Sequence, residues 1–209
     1  PGPDDLPVGL VPSSRILHIS GISQAISTKA CDLVFKAIAE ARAAGGIVSY
    51  DTNLRLRLWP LDRARATIHA AVAQSDICLP GLDDAQKLTG KTTAEDICDF
   101  YLGLGPEIVA LTLGKSGTLV AIPGRRELIP AFPVEAVDAT GAGDTFMAAH
   151  IVAERDGADR DRADLAWLHV RLGTHIADPV ERLRFVLNTN PIWRSMRPRK
   201  IWPILFASN

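Results

Sequence analysis

The chain predicts an α/β fold: a mostly parallel central sheet with helices packed on both faces. Three observations carry this reading. Short apolar runs at 16–20, 47–50, 76–79 and 108–113 have the length and β-branched content of buried strands. Between them lie longer segments whose apolar residues recur at helical spacing. That alternation implies parallel strands joined by right-handed crossovers.

Residues 1–14 are rich in Pro, Gly, Asp and Ser and read as loop. Ile16-Leu17-His18-Ile19-Ser20 is a strand closed by Gly21. After Ser27 or Thr28 as N-cap, Ala30, Val34, Ala37, Ile38 and Ala41 mark one helix face up to Gly45-Gly46. Ile47-Val48-Ser49-Tyr50 is the next strand and runs into Asp51-Thr52-Asn53-Leu54-Arg55. A helix over 61–74 follows, then a strand at 76–79 stopped by Pro80-Gly81. Two helices are predicted over 83–88 and 93–102, the second with Ile97, Phe100 and Tyr101 inward. Ile108-Val109-Ala110-Leu111-Thr112-Leu113 is the most strand-like segment, and 118–122 and 127–132 form a hairpin around Pro123-Gly124. Ligands of such sheets sit outside the carboxyl ends of the strands. Ser20-Gly21 and the stretches 51–55, 80–84 and 112–117 all fall there, so the candidate site gathers on one rim.

Bulk composition narrows the function. The 209 residues suffice for one substantial core, with 47% apolar and 22% charged residues and a net charge of −1. Near-neutral charge argues against nucleic-acid and membrane-surface binding. No apolar run approaches the ~20 residues of a membrane span. Cys31, Cys78 and Cys98 are widely spaced within apolar patterns and read as reduced core thiols, which suits a cytoplasmic protein. The start, Pro1-Gly2-Pro3-Asp4-Asp5, has no signal-peptide character and no initiator Met, so a longer parent chain is expected. The five His (18, 69, 150, 169 and 175) have no metal-ligand spacing.

The chemistry centres on Val137-Asp138-Ala139-Thr140-Gly141-Ala142-Gly143-Asp144-Thr145-Phe146. A β-flavoured run at 128–137 leads in and an apolar helical pattern (Phe146, Ala149, Ile151, Val152) leads out. Glycines 141 and 143 let the backbone approach a ligand closely, and N–H groups at a helix start favour an anion. An acid beside such an anion site is repulsive unless it takes a proton, as from a hydroxyl nucleophile. The stretch therefore points to phosphoryl transfer. Two better-known phosphate motifs are excluded: Gly114-Lys115-Ser116 lacks the P-loop glycine, where Val109 stands, and Gly141-Ala142-Gly143 lacks the third dinucleotide glycine, where Phe146 stands.

The decapeptide resembles the second signature of the ribokinase-like carbohydrate kinases, the phosphofructokinase B family. The resemblance implies a three-layer α/β/α sandwich that uses ATP and Mg²⁺. It makes Asp144 the base that deprotonates the acceptor hydroxyl. Gly141, Ala142 and Gly143 become the anion hole for the γ-phosphoryl group, with Asp138 and Thr140 shaping the loop. Val109-Ala110-Leu111-Thr112-Leu113-Gly114-Lys115-Ser116-Gly117 is similar to the family's nucleotide-side strand and turn. Thr112, Gly114 and Gly117 would line the nucleotide phosphates, with Lys115 a nearby positive charge.

Pro80-Gly81-Leu82-Asp83-Asp84 occupies the place of the family's Asn-x-x-Glu element, with Gly81 at the Asn and Asp84 at the Glu. Asp84 is thereby expected to hold Mg²⁺ through water; as plain chemistry, Asp83 and Asp84 also suit a helix N-terminus. Asp51-Thr52-Asn53-Leu54-Arg55 with Leu58-Trp59 looks like the corresponding stretch of 2-keto-3-deoxygluconate kinases. A guanidinium matches a sugar-acid carboxylate with two parallel hydrogen bonds, which assigns Arg55 to that contact and Asn53 to placing the site.

The resemblance covers about residues 16–152. It implies a partial kinase domain over 1–187, without the family's first strands and lid, and an atypical tail over 188–209. The expected partner is a small sugar or sugar acid, with pairing of subunits through the lid in intact members. Fructose, ribose or 5-dehydro-2-deoxygluconate are the alternative acceptors, and a non-catalytic remnant with weak nucleotide binding is the alternative outside catalysis.

Overall fold

The computed structural model describes residues 1–131. Among these residues six strands form one sheet in the order β1-β2-β3-β4-β5-β6, where β1 is Ile16–Ser20, β2 Ile47–Asp51, β3 Ile77–Leu79, β4 Ile108–Thr112, β5 Thr118–Ile122 and β6 Arg125–Ile129. The first four pair in parallel and the last two add antiparallel. Five helices connect the parallel strands: α1 (Gly21–Ala25) and α2 (Thr28–Ala43) after β1, α3 (Leu61–Val72) after β2, α4 (Leu82–Thr89) and α5 (Ala94–Leu104) after β3.

Local chemistry explains the boundaries. Ser27 caps α2 by accepting the Ala30 N–H at 3.1 Å, and Thr93 caps α5 by accepting the Asp96 N–H at 3.2 Å. Gly90 ends α4 in the left-handed conformation, φ +72°. The segment read as loop at the start holds a short 3-10 turn, Pro3–Asp5. Strand β6 begins at Arg125, two residues before the predicted start, and ends at Ile129.

Strand side chains alternate, so the sheet has two apolar faces. The register aligns Ile19, Tyr50, Cys78, Val109 and Ala121 in one row. This face belongs to the main core, with Val34, Ile38, Ile68, Leu88, Ile97 and Tyr101 from the helices. Ile38 and Ile68 are fully buried, and truncating either to Ala costs about 3 kcal/mol. The opposite face carries a second cluster, Ile77, Leu79, Ala110, Val120 and Ile129, to which no described helix contributes. Consecutive parallel strands linked by crossovers of one hand place every connecting helix on the same side. The helical pattern expected after Asp144 lies outside the described residues.

Candidate active site

Strands β1 to β4 end together, and the residues at those ends form the rim. Gly21 begins α1 directly after β1; a Cβ there would lie 2.3 Å from the Thr52 carbonyl oxygen, so the approach of the two chain segments requires glycine. Next to it, Ser20 Oγ donates to Asp51 Oδ2 at 3.0 Å, paired through the β1–β2 register. Asn53 donates twice: its N–H to Asp51 Oδ1 at 3.1 Å and its Nδ2 to Ser20 Oγ at 2.9 Å. The ring holds Asn53 at φ +29°, a conformation Asn tolerates better than most side chains. Behind it the fully buried Tyr50 hydroxyl donates to Gln24 Oε1, which fixes α1 against β2. Burial pushes the Tyr50 phenol well above its ordinary value, so it stays a donor.

Arg55 is exposed at the mouth of this turn. Its Nη1 donates to the Leu54 carbonyl at 3.0 Å, and it forms no ion pair among the described residues. Asp84, half-buried in the first turn of α4, accepts the Leu54 N–H at 3.0 Å through Oδ2. Burial raises the Asp84 carboxyl, while the Leu54 amide, Lys87 and Arg55 pull it down and Asp83 adds a smaller upward push.

The nucleotide-side candidates sit at the end of β4. Thr112 donates its N–H to the Pro80 carbonyl at 2.9 Å and bridges Gly81 in parallel, which sets the start of α4 beside β4. Gly114, Lys115 and Ser116 form a 3-10 turn with Lys115 exposed. Gly114 has φ +59° in open space, whereas Gly117 has φ +104° and a Cβ there would meet the Ile129 carbonyl oxygen at 2.0 Å.

The structure thus brings Asn53, Asp84 and Thr112 onto one rim through hydrogen-bonded neighbours. Asp138, Thr140, Gly141, Ala142, Gly143 and Asp144 lie outside the described residues. Sequence reading set Ser20 and Asp51 on the rim without their bonds to Asn53 and missed the Leu54 amide; only the glycine after β1 hinted at the close packing there. Among the described residues no cluster of three or more His, Cys, Asp or Glu could hold a metal by itself. No disulfide forms among Cys31, Cys78 and Cys98. No described helix is long and apolar enough to cross a membrane.

Comparison with known proteins gives this rim a family. Residues 3–163 match the sequence model of the pfkB family carbohydrate kinase. A 2-dehydro-3-deoxygluconokinase of Bacillus subtilis is 35% identical over 144 residues, 68% of this chain and 44% of that protein. A probable fructokinase-2 of Arabidopsis thaliana is 34% identical over 150 residues, 70% of this chain and 45% of that protein. An E. coli protein crystallised with ATP and Mg²⁺ superposes with a TM-score of 0.76 at 26% identity, covering 92% of this chain and 63% of that one. The chain spans about half the length of the curated relatives it matches. The ribokinase-like α/β fold follows from these neighbours and from the observed sheet. From its fold, its rim and these matches, the chain belongs to the pfkB family of carbohydrate kinases.

Proposed function

We propose that the chain carries the acceptor and phosphate sites of an ATP- and Mg²⁺-dependent kinase that phosphorylates a sugar acid, first among candidates 2-keto-3-deoxygluconate, to its 6-phosphate. The observation that carries the acid is Arg55. An exposed guanidinium with no ion pair among the described residues stands next to Asn53 at the strand ends, where a carboxylate would complete it. The relatives named for the dehydrodeoxygluconate kinase activity support the same acceptor.

In this reading Asn53 and Arg55 orient the sugar acid with its primary hydroxyl toward the γ-phosphoryl group. Thr112, Gly114, Lys115 and Gly117 hold the nucleotide phosphates. Asp144 takes the hydroxyl proton as the oxygen–phosphorus bond forms and the bond to ADP breaks, and Gly141, Ala142 and Gly143 receive the charge with their amides. Asp138 and Thr140 shape that loop. Mg²⁺ suits an oxygen set of one carboxylate plus nucleotide phosphates, and when bound it offsets phosphate charge. Asp84 fits an outer, water-mediated place in that set, because only Oδ2 is engaged and its other oxygen makes no hydrogen bond among the described residues.

The test is ADP release over a panel of sugar acids and neutral sugars, with Asp144→Asn alongside. The expected result is preference for a sugar acid and a fall of about 100- to 10,000-fold in kcat for Asp144→Asn. Unchanged turnover in that variant contradicts the base; preference for fructose or ribose assigns the neutral-sugar alternative.

A further inference from the structure

We propose that Asp84 is a positioning residue that ties the acceptor loop to the nucleotide-side end of β4, so that sugar acid and nucleotide bind cooperatively. The inference rests on the functional reading above and concerns how its two halves communicate.

A continuous set of hydrogen bonds carries it. The Thr112 N–H donates to the Pro80 carbonyl at 2.9 Å, and Gly81, bridged to Thr112, is the N-cap of α4. The Gly81 carbonyl accepts the Ala85 N–H at 2.8 Å and so fixes the first turn of α4. From that turn Asp84 Oδ2 accepts the Leu54 N–H at 3.0 Å. Leu54 is 4% exposed and stands between Asn53 and Arg55, the two residues assigned to the acceptor. On its other side the loop is held by Asp51 and Ser20, both at the ends of sheet strands. Asp84 therefore bonds this loop to α4, and α4 starts beside the nucleotide-side strand β4, to whose last residue its N-cap is bridged.

The two acids of the turn differ in a way that a helix-dipole role does not explain. Asp83 is exposed and complements the helix start as a solvated charge. Asp84 is half-buried, where ionisation is opposed by desolvation, and it is satisfied by an amide 30 residues away in sequence. In this proposal a change at Thr112 on nucleotide binding reaches Leu54 through the Gly81 cap and the Asp84 bond, and linkage makes the effect of acceptor binding on the nucleotide equal in size.

The experiment compares wild type, Asp84→Ala and Asp84→Asn by two readouts. Amide hydrogen exchange at Leu54 reads the tie directly. Asp84→Ala should accelerate it about 10-fold or more, whereas Asp84→Asn, whose Oδ1 still accepts the bond, should stay close to wild type. The KM for the sugar acid at low and saturating ATP reads the coupling. With Mg²⁺ held saturating for each protein, wild type should show a KM that falls severalfold with ATP, about 5-fold or more, Asp84→Asn should keep that dependence, and Asp84→Ala should lose it. Unchanged Leu54 exchange in Asp84→Ala overturns the proposal. So does an Asp84→Asn variant that loses the coupling as fully as Asp84→Ala while demanding more Mg²⁺, because that pattern assigns the carboxylate to the metal alone. Wild-type protein that turns over no sugar acid defeats the functional reading and the coupling with it, a result that the exchange readout keeps separate from failure of the tie.

Discussion

Asn53 Nδ2 donates to Ser20 Oγ at 2.9 Å across the ends of β1 and β2. With the bonds of both residues to Asp51, this closes a three-residue ring that holds Asn53 at φ +29°. Asn53→Ala removes the side-chain bond and leaves an L-residue with a Cβ in an unfavourable conformation. We expect a loss of about 2 kcal/mol in urea unfolding. Asn53→Gly relaxes the backbone and should lose less.

The glycines of the β4–β5 turn should divide. Gly117→Ala forces a Cβ to 2.0 Å from a backbone oxygen at φ +104°, and should cost more than about 3 kcal/mol or prevent folding. Gly114→Ala meets open space at φ +59° and should cost about 1 kcal/mol. Thermal unfolding of the pair checks the contrast.

At Gly81 the backbone is ordinary, φ −92° and ψ 144°, and a Cβ would meet only Thr112 Oγ1 at 3.6 Å. Gly81→Asn should therefore fold with stability within about 0.5 kcal/mol of the parent. By restoring the side-chain amide of the Asn-x-x-Glu pattern, the same variant should need less Mg²⁺ for half-maximal turnover, which a Mg²⁺ titration measures.

His69 of α3 packs its ring on Phe100 and Tyr101 of α5, with ring centroids 5.0 and 6.1 Å away. Burial, with a smaller contribution from Arg65, lowers its pKa from the ordinary 6.5. The unfolded chain therefore takes up the proton first as pH falls. Stability should be full above about pH 7 and fall below 6.5 by at most about 1.4 kcal/mol per pH unit, levelling off once the folded His69 also protonates. His69→Phe should flatten this part of the profile in unfolding measured between pH 5 and pH 8.

The strands were legible because each is a short apolar run between breakers, and Ser27, Thr93 and Gly90 mark helix ends by their own chemistry. Strand β6 was placed late, since Arg125 and Arg126 are exposed and hide its start from any apolar pattern. The Ser20–Asp51–Asn53 ring depends on the β1–β2 register, and the Leu54–Asp84 bond joins residues 30 apart. Such contacts leave no periodic trace. The one-sided placement of the described helices reflects the strand order, which hydrophobic spacing does not encode.

Arg55 is where the account is most exposed. The measurement is kcat/KM for a sugar acid and for a neutral sugar of similar size, in wild type and Arg55→Ala. The account predicts a selective loss for the acid of about 10-fold or more, corresponding to a charge-assisted bond of roughly 1.5–3 kcal/mol, with little change for the neutral sugar. Equal losses for both, or no loss for the acid, would contradict the assignment of this rim to a carboxylate-bearing acceptor.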